Sequence, residues 1–299
     1  MESFSRGWNF LKQAWQMAFK DRDLLKPTLF ALVVGGIVSV IGIIPIVGVA
    51  LLVGDSEFGN IVLFVMGAIL IFVQFIVTYM FSAMTVYLIF QYLTEGDGKL
   101  SDAFAIVRRD FFDILTLAAV STVVNLIKNA ANRNNKGGVG AAVARAGAGL
   151  LDTLWTEAAF LVLPAMVIDD LNLKKGLERV WNITKNNLLL IGISTVGVKW
   201  VTGLIGFVLF MIGTIIAVLI GGGALYASGG ETTVSAIGIA LGLMIFFFFI
   251  LVSSVISSYT STAYHTCLYI WAREVEEAKE KGKSVDRIAA PAPLAAVLK

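Results

Sequence analysis

Residues Asn60 to Thr94 read NIVLFVMGAILIFVQFIVTYMFSAMTVYLIFQYLT, a stretch without one charged side chain. At 1.5 Å per residue, about 20 apolar residues cross the hydrocarbon of a bilayer. This segment is long enough to span it with residues to spare, so it must tilt or project beyond it. Outward from it, Thr28 to Gly54 and Thr232 to Ala272 are equally free of charge. A soluble core accommodates one such run, not several. Over all 299 residues, 58% are hydrophobic and 15% charged, against about 25% charged in a typical soluble domain. The fold class is therefore all-α integral membrane.

Six spans are expected, over 28–53, 60–93, 111–127, 149–168, 188–221 and 232–271. Pro45, between Gly42 and Gly48, predicts a kink or break in the first. The sixth is expected to continue as a charged helix to Lys281. Ahead of the spans, Phe4, Trp8, Leu11, Trp15 and Ala18 recur at helical spacing, with Arg6, Asn9, Lys12, Gln16 and Lys20 mainly on the other face. Trp8 and Trp15 are candidate membrane-interface residues, because an amphipathic ring and a neighbouring lysine both suit the headgroup region. The alternative is that this helix packs on the protein's own cytoplasmic face. The chain thus divides into an amphipathic cytoplasmic helix over 1–27, a transmembrane domain over 28–271, and a charged helix with an Ala/Pro tail over 272–299. The charges in the first 27 residues interrupt any cleavable leader, so the first span is expected to serve as the insertion signal.

Orientation follows from the lysines and arginines. Eighteen of the 23 fall in the N-terminal segment, 94–110, 169–187 and the tail from Ala272. The connections at 54–59 and 222–231 carry none. Both termini are therefore expected in the cytoplasm. The segment from Lys128 to Arg145 disagrees, with four basic residues and no acidic one on what parity makes the outer side. Either it is an external basic loop, or the third and fourth spans form a re-entrant pair. Its small residues from Gly137 to Gly149 read as flexible or closely packed.

A repeat is also visible. Leu100, Phe104, Val107, Leu115, Ser121, Thr122 and Val123 align with Leu173, Leu177, Val180, Leu188, Ser194, Thr195 and Val196 at a constant offset of 73, and only Phe104/Leu177 differ in type. Trp15 to Leu25 resembles Trp181 to Leu190. Three parallel units follow, each a short amphipathic helix and two spans.

Charges inside spans are costly and need partners. Glu157 lies 12 residues before Asp169, and Lys199 lies 12 residues after Asn187. Both are thus about 18 Å from the same connection, which makes them a candidate intramembrane ion pair. The structural sense is neutralisation and helix register; the functional one is an ion or proton relay. Asp152 is expected to be solvated near the outer interface. Gln74 and Asn125 are expected to bond across helices. His265 and Cys267, two apart on a helix, do not share a face and make a poor metal pair. His265 is expected to bond a neighbour. Asp169 and Asp170 read as a helix terminus, and Asn182-Ile183-Thr184 as a chance glycosylation triplet on the inner side. No phosphate loop, His-Glu-x-x-His or Gly-x-Ser-x-Gly is present. No catalytic residue, metal site or cofactor is expected. The expected partners are the lipid bilayer and, beyond it, a second copy or another membrane protein, with no nucleic acid.

The pattern Trp15…Lys20…Leu24-Leu25, together with Trp155…Phe160…Pro164…Val167-Ile168-Asp169-Asp170…Gly176-Leu177…Lys185-Asn186-Asn187, resembles an uncharacterised group of prokaryotic polytopic membrane proteins. These belong to families of unknown function and are distantly similar to the membrane domain attached to some glycerophosphodiester phosphodiesterases. The resemblance implies a six-span membrane module and no established activity or site residues. A non-enzymatic role, as scaffold or in membrane organisation, is the first expectation; a channel or transporter is the alternative.

Overall fold

Long uninterrupted apolar segments leave the backbone one way to satisfy its own hydrogen bonds in hydrocarbon, which is to coil. In the computed structural model, which describes residues 2–53, 56–133, 139–185, 188–227, 232–282 and 288–298, every regular element is helical. The order is α1 (Glu2–Lys20), a 3-10 turn (Arg22–Leu24), α2 (Lys26–Val53), α3 (Glu57–Glu95), α4 (Leu100–Arg109), α5 (Phe111–Arg133), α6 (Val139–Asp169), α7 (Leu173–Lys185), α8 (Leu188–Ala227), α9 (Thr232–Glu280) and α10 (Ala292–Leu298). Six of these are long and apolar enough to cross a membrane: α2, α3, α5, α6, α8 and α9. A shorter amphipathic helix precedes two long ones three times over, at α1, α4 and α7.

Three expectations about the elements need correction. Of the kink or break expected at Pro45, the break is absent, since α2 continues as helix through it. The stretch of small residues before Gly149 is helical from Val139, as its alanines favour. α5 also reaches Arg133 rather than stopping near Ile127. Candidate spans of 22 and 30 residues result at Phe111–Asn132 and Gly140–Asp169, each of full crossing length.

The chain forms two compact units. One holds residues 1–17, 189–264 and 292–299. Here α8 and α9 form an antiparallel hairpin whose register is set by small residues. A Cβ on Gly242 would lie 2.7 Å from the Ala217 carbonyl oxygen, and one on Gly213 would lie 2.9 Å from the Phe249 Cβ. α1 packs on α9 in the same unit. Phe10 meets Tyr264 edge to face at 5.5 Å, and the Tyr259 hydroxyl donates to the Ala14 carbonyl at 3.2 Å. The buried seam of α1 is thus Gly7, Phe10, Ala14 and Met17, a different stripe from the Phe4–Trp8–Leu11–Trp15 line.

The other unit holds residues 18–188 and 265–291. α3 is its centre, packing on α2, α4, α5 and α6. Its C-terminal end is cut off sharply by Gly96, whose φ of 85° is a left-handed helix cap. Gln91 of α3 then anchors α4. Its side-chain oxygen accepts the Lys99 N–H at 2.8 Å, and its nitrogen donates to Asp102 at 3.1 Å.

Candidate functional site

Polar side chains within the spans are the candidates for function. In the unit centred on α3, Gln74 donates to the Gly35 carbonyl at 2.9 Å and to Ser39 Oγ at 2.7 Å, which ties α3 to α2. Ser121 of α5 is fully enclosed; it meets the Tyr79 hydroxyl at 2.7 Å and accepts the Trp155 indole N–H at 2.8 Å. One small hydroxyl therefore joins α3, α5 and α6. Nothing in its sequence surroundings singled Ser121 out beyond its place in the repeat.

Lys128 and Asp152 form a 2.6 Å ion pair between α5 and α6. Asp152 is thus paired rather than simply solvated. The same contact removes one of the four basic residues that stood against the outer placement of this connection. Asn125 does not bond across helices; it accepts from Asn129 on its own helix at 2.8 Å. It does line a crevice of about 300 Å³ with Ser39, Gln74, Thr78 and Phe75.

Glu157 lies on α6 with its Oε2 3.3 Å from His265 Nε2. The imidazole stacks on Phe160 at 5.0 Å between centroids. His265 therefore has the neighbour expected of it, and Cys267 is buried beside it in sequence without a disulfide. Lys199 lies on α8 in the other unit, with its carbonyl accepting from Thr202. Glu157 and Lys199 thus belong to different units. Of the two tryptophans expected at the interface, Trp8 is 48% exposed. Trp15 is partly covered, donating its indole N–H to Thr260 at 3.1 Å beside the Tyr259 ring.

A collar of polar contacts lies at one end of the α3-centred unit. Asp21 accepts the Gly98 N–H at 2.8 Å, joining the segment before α2 to the one after α3. Arg109 grips Asp110 at 2.6 Å, Asp170 at 3.2 Å and the Val167 carbonyl at 3.4 Å. Asp169 receives Arg273 at 2.8 Å and the Tyr269 hydroxyl, while Arg179 pairs with Glu276. Arg273 also lies 5.7 Å over the Phe90 ring, a cation–π position. Asp170 itself adopts φ 54°, the left-handed geometry that ends a helix and that aspartate tolerates. Four segments that carry the basic excess are thereby fastened together on a single side. The acidic pair 169–170 is a helix terminus, as read, but one recruited into ion pairs. Among the described residues no group of three His, Cys, Asp or Glu side chains lies close enough to hold a metal ion.

Residues 61–279, from α3 to the last turn of α9, match a family of unknown function, DUF6159. The chain belongs to that family. A search of the curated proteins finds no match. The match reaches an uncharacterised family and brings no likeness to glycerophosphodiester phosphodiesterases with it. What stands is a multi-pass α-helical membrane protein in a family whose role is not established.

Proposed function

We propose that this chain is a non-enzymatic integral membrane module of a prokaryotic cell membrane, with both termini in the cytoplasm, and that it serves as a scaffold or in membrane organisation. One observation carries the reading. Polar side chains within the long helices bond to neighbouring helices at Gln74, Ser121, Lys128–Asp152 and His265–Glu157, so the chemistry of these groups goes into architecture. The collar supports the orientation, since it collects the segments that the distribution of positive charge assigns to the cytoplasm. The distant likeness to the membrane domain of glycerophosphodiester phosphodiesterases belongs to this proposal too, as a likeness of module and not of catalysis. Trp8 and Trp15 then sit at the membrane interface.

Glu157 and Lys199 enter the same proposal as a neutralising pair. Glu157→Gln and Lys199→Met are each expected to lower thermal stability in detergent, with the double variant recovering part of the loss. Strictly additive losses would remove the pair. A second reading, a channel or transporter for small solutes, is favoured by the crevice at Ser39, Gln74, Thr78 and Asn125, because four polar side chains bordering one intramembrane cavity could receive a polar solute. Flux into proteoliposomes decides between them. No solute-selective flux is expected, and selective flux abolished by Asn125→Leu would replace the scaffold with the transporter.

A further inference from the structure

α7 is a 13-residue helix with two faces of opposite character. Gly176, Val180 and Ile183 are buried. Lys174, Glu178, Trp181 and Lys185 follow one another at spacings of four, three and four, so they form a single stripe on the far side. All four are exposed, Lys175 is exposed beside them, and Trp181 keeps 69% of its surface uncovered. Arg179 is not part of this stripe, being held by Glu276.

The height of this stripe is fixed by Gly176. A Cβ there would lie 3.2 Å from Val162 Cγ1 and 3.5 Å from Met166 Cγ. A Cβ there would fit only if the Val162 side chain gave way slightly, so α7 lies in close contact with α6 at this point. α7 therefore folds back along α6, beside residues three to seven positions before Asp169, where the apolar run of α6 ends. That is about 5–10 Å along the helix axis, against an interfacial zone on the order of 5–7 Å thick in each leaflet. The outward face of α7 thus lies at the level of the headgroups and glycerol, rather than above the membrane.

We propose that this face docks anionic phospholipid of the adjoining leaflet. Trp181 lies at glycerol depth with its ring against acyl chains. Lys174, Lys175 and Lys185 extend outward to phosphate groups, as lysines at an interface do. Three exposed lysines against Glu178 favour an anionic headgroup over a zwitterionic one by charge complementarity. This inference rests on the membrane reading above.

The test uses the full chain in nanodiscs of phosphatidylcholine, with or without phosphatidylglycerol. The Trp181 signal is the difference between the native chain and Trp181→Phe. Lipid brominated high on the acyl chain is expected to quench it, and aqueous iodide is not. Spin-labelled phosphatidylglycerol should lose about fivefold in association for each of Lys174→Gln, Lys175→Gln and Lys185→Gln. Iodide quenching without bromolipid quenching would overturn the proposal, as would unchanged lipid preference in the triple variant. Trp200, 73% exposed on α8, separates the two levels of failure. If deep-brominated lipid quenches Trp200 while Trp181 stays silent, the α7 proposal alone falls. If neither is quenched, the membrane reading falls with it.

Discussion

Ser121 is the residue at which α3, α5 and α6 share one buried hydroxyl. Without its hydroxyl, the Trp155 indole N–H and the Tyr79 hydroxyl both lose the partner they share. Leaving a buried polar group unpartnered costs about 1–3 kcal/mol. Ser121→Ala is therefore expected to lower the detergent melting temperature clearly. Adding Tyr79→Phe should recover part of the loss by removing one stranded group. An Ser121→Ala chain as stable as the native one would show that water or relaxation replaces the hydroxyl. Sequence reasoning reached Gln74 and His265 because a lone polar residue in a span stands out. It did not reach Ser121, because serine is unremarkable in a membrane helix until its neighbours are known. Lys128–Asp152 escaped for a different reason. With α5 ended near Ile127 and α6 begun at Gly149, Lys128 fell outside any span; only the longer helices carry it beside Asp152.

At the scale of elements, the clearest case is the α8–α9 hairpin. A methyl group on Gly242 would press on the Ala217 carbonyl oxygen at 2.7 Å. Backbone cannot rotate away as a side-chain tip can, so Gly242→Ala is expected to cost about 1–3 kcal/mol. Gly36 has nothing within 4 Å of the corresponding position, and Gly36→Ala should be neutral or slightly stabilising; thermal unfolding of the two variants side by side checks the contrast. The junction of α3 and α4 carries a pH dependence. The Gln91 amide, and after it the Ser101 hydroxyl, hold the Asp102 carboxyl below its ordinary value. A depressed folded-state value means that the contribution is present above the unfolded carboxylate range and is lost as pH falls through the folded one. Protection of the α4 amides against hydrogen exchange should therefore decline on acidification. Gln91→Leu should lower it at neutral pH and flatten that decline. The apolar spans were legible in the sequence because bilayer thickness alone demands their length. The seam of α1 was not, since Phe4–Trp8–Leu11–Trp15 and Phe10–Ala14–Met17 are both helical stripes. The choice between them lies in α9, whose Tyr259 and Tyr264 take the second.

At the scale of the molecule, the collar turns a statistical rule about charge into a geometric constraint. Counting lysines and arginines treats each connection separately. The bonds Asp21–Gly98, Arg109–Asp170, Asp169–Arg273 and Arg179–Glu276 require the connected segments to share a side. α6 and the last part of α9 also run in the same direction, since Glu157 meets His265 and Asp169 meets Tyr269 and Arg273 further along both helices. A topology that inverted only one of these segments would have to break the collar. Reporters fused after Lys299 and inserted within 94–99 are therefore expected to give the same cytoplasmic signal. An insertion at Asn134, which lies outside the described residues, should give the opposite one, because α5 and α6 are each of crossing length. A cytoplasmic signal at Asn134 would return α5 and α6 to a re-entrant pair. An external signal after Lys299 alone would be the more damaging result. It would place the collar's α9 strands of contact on the wrong side of the membrane from α6, and no tilt or shift of the spans could reconcile it with the Asp169–Arg273 bond.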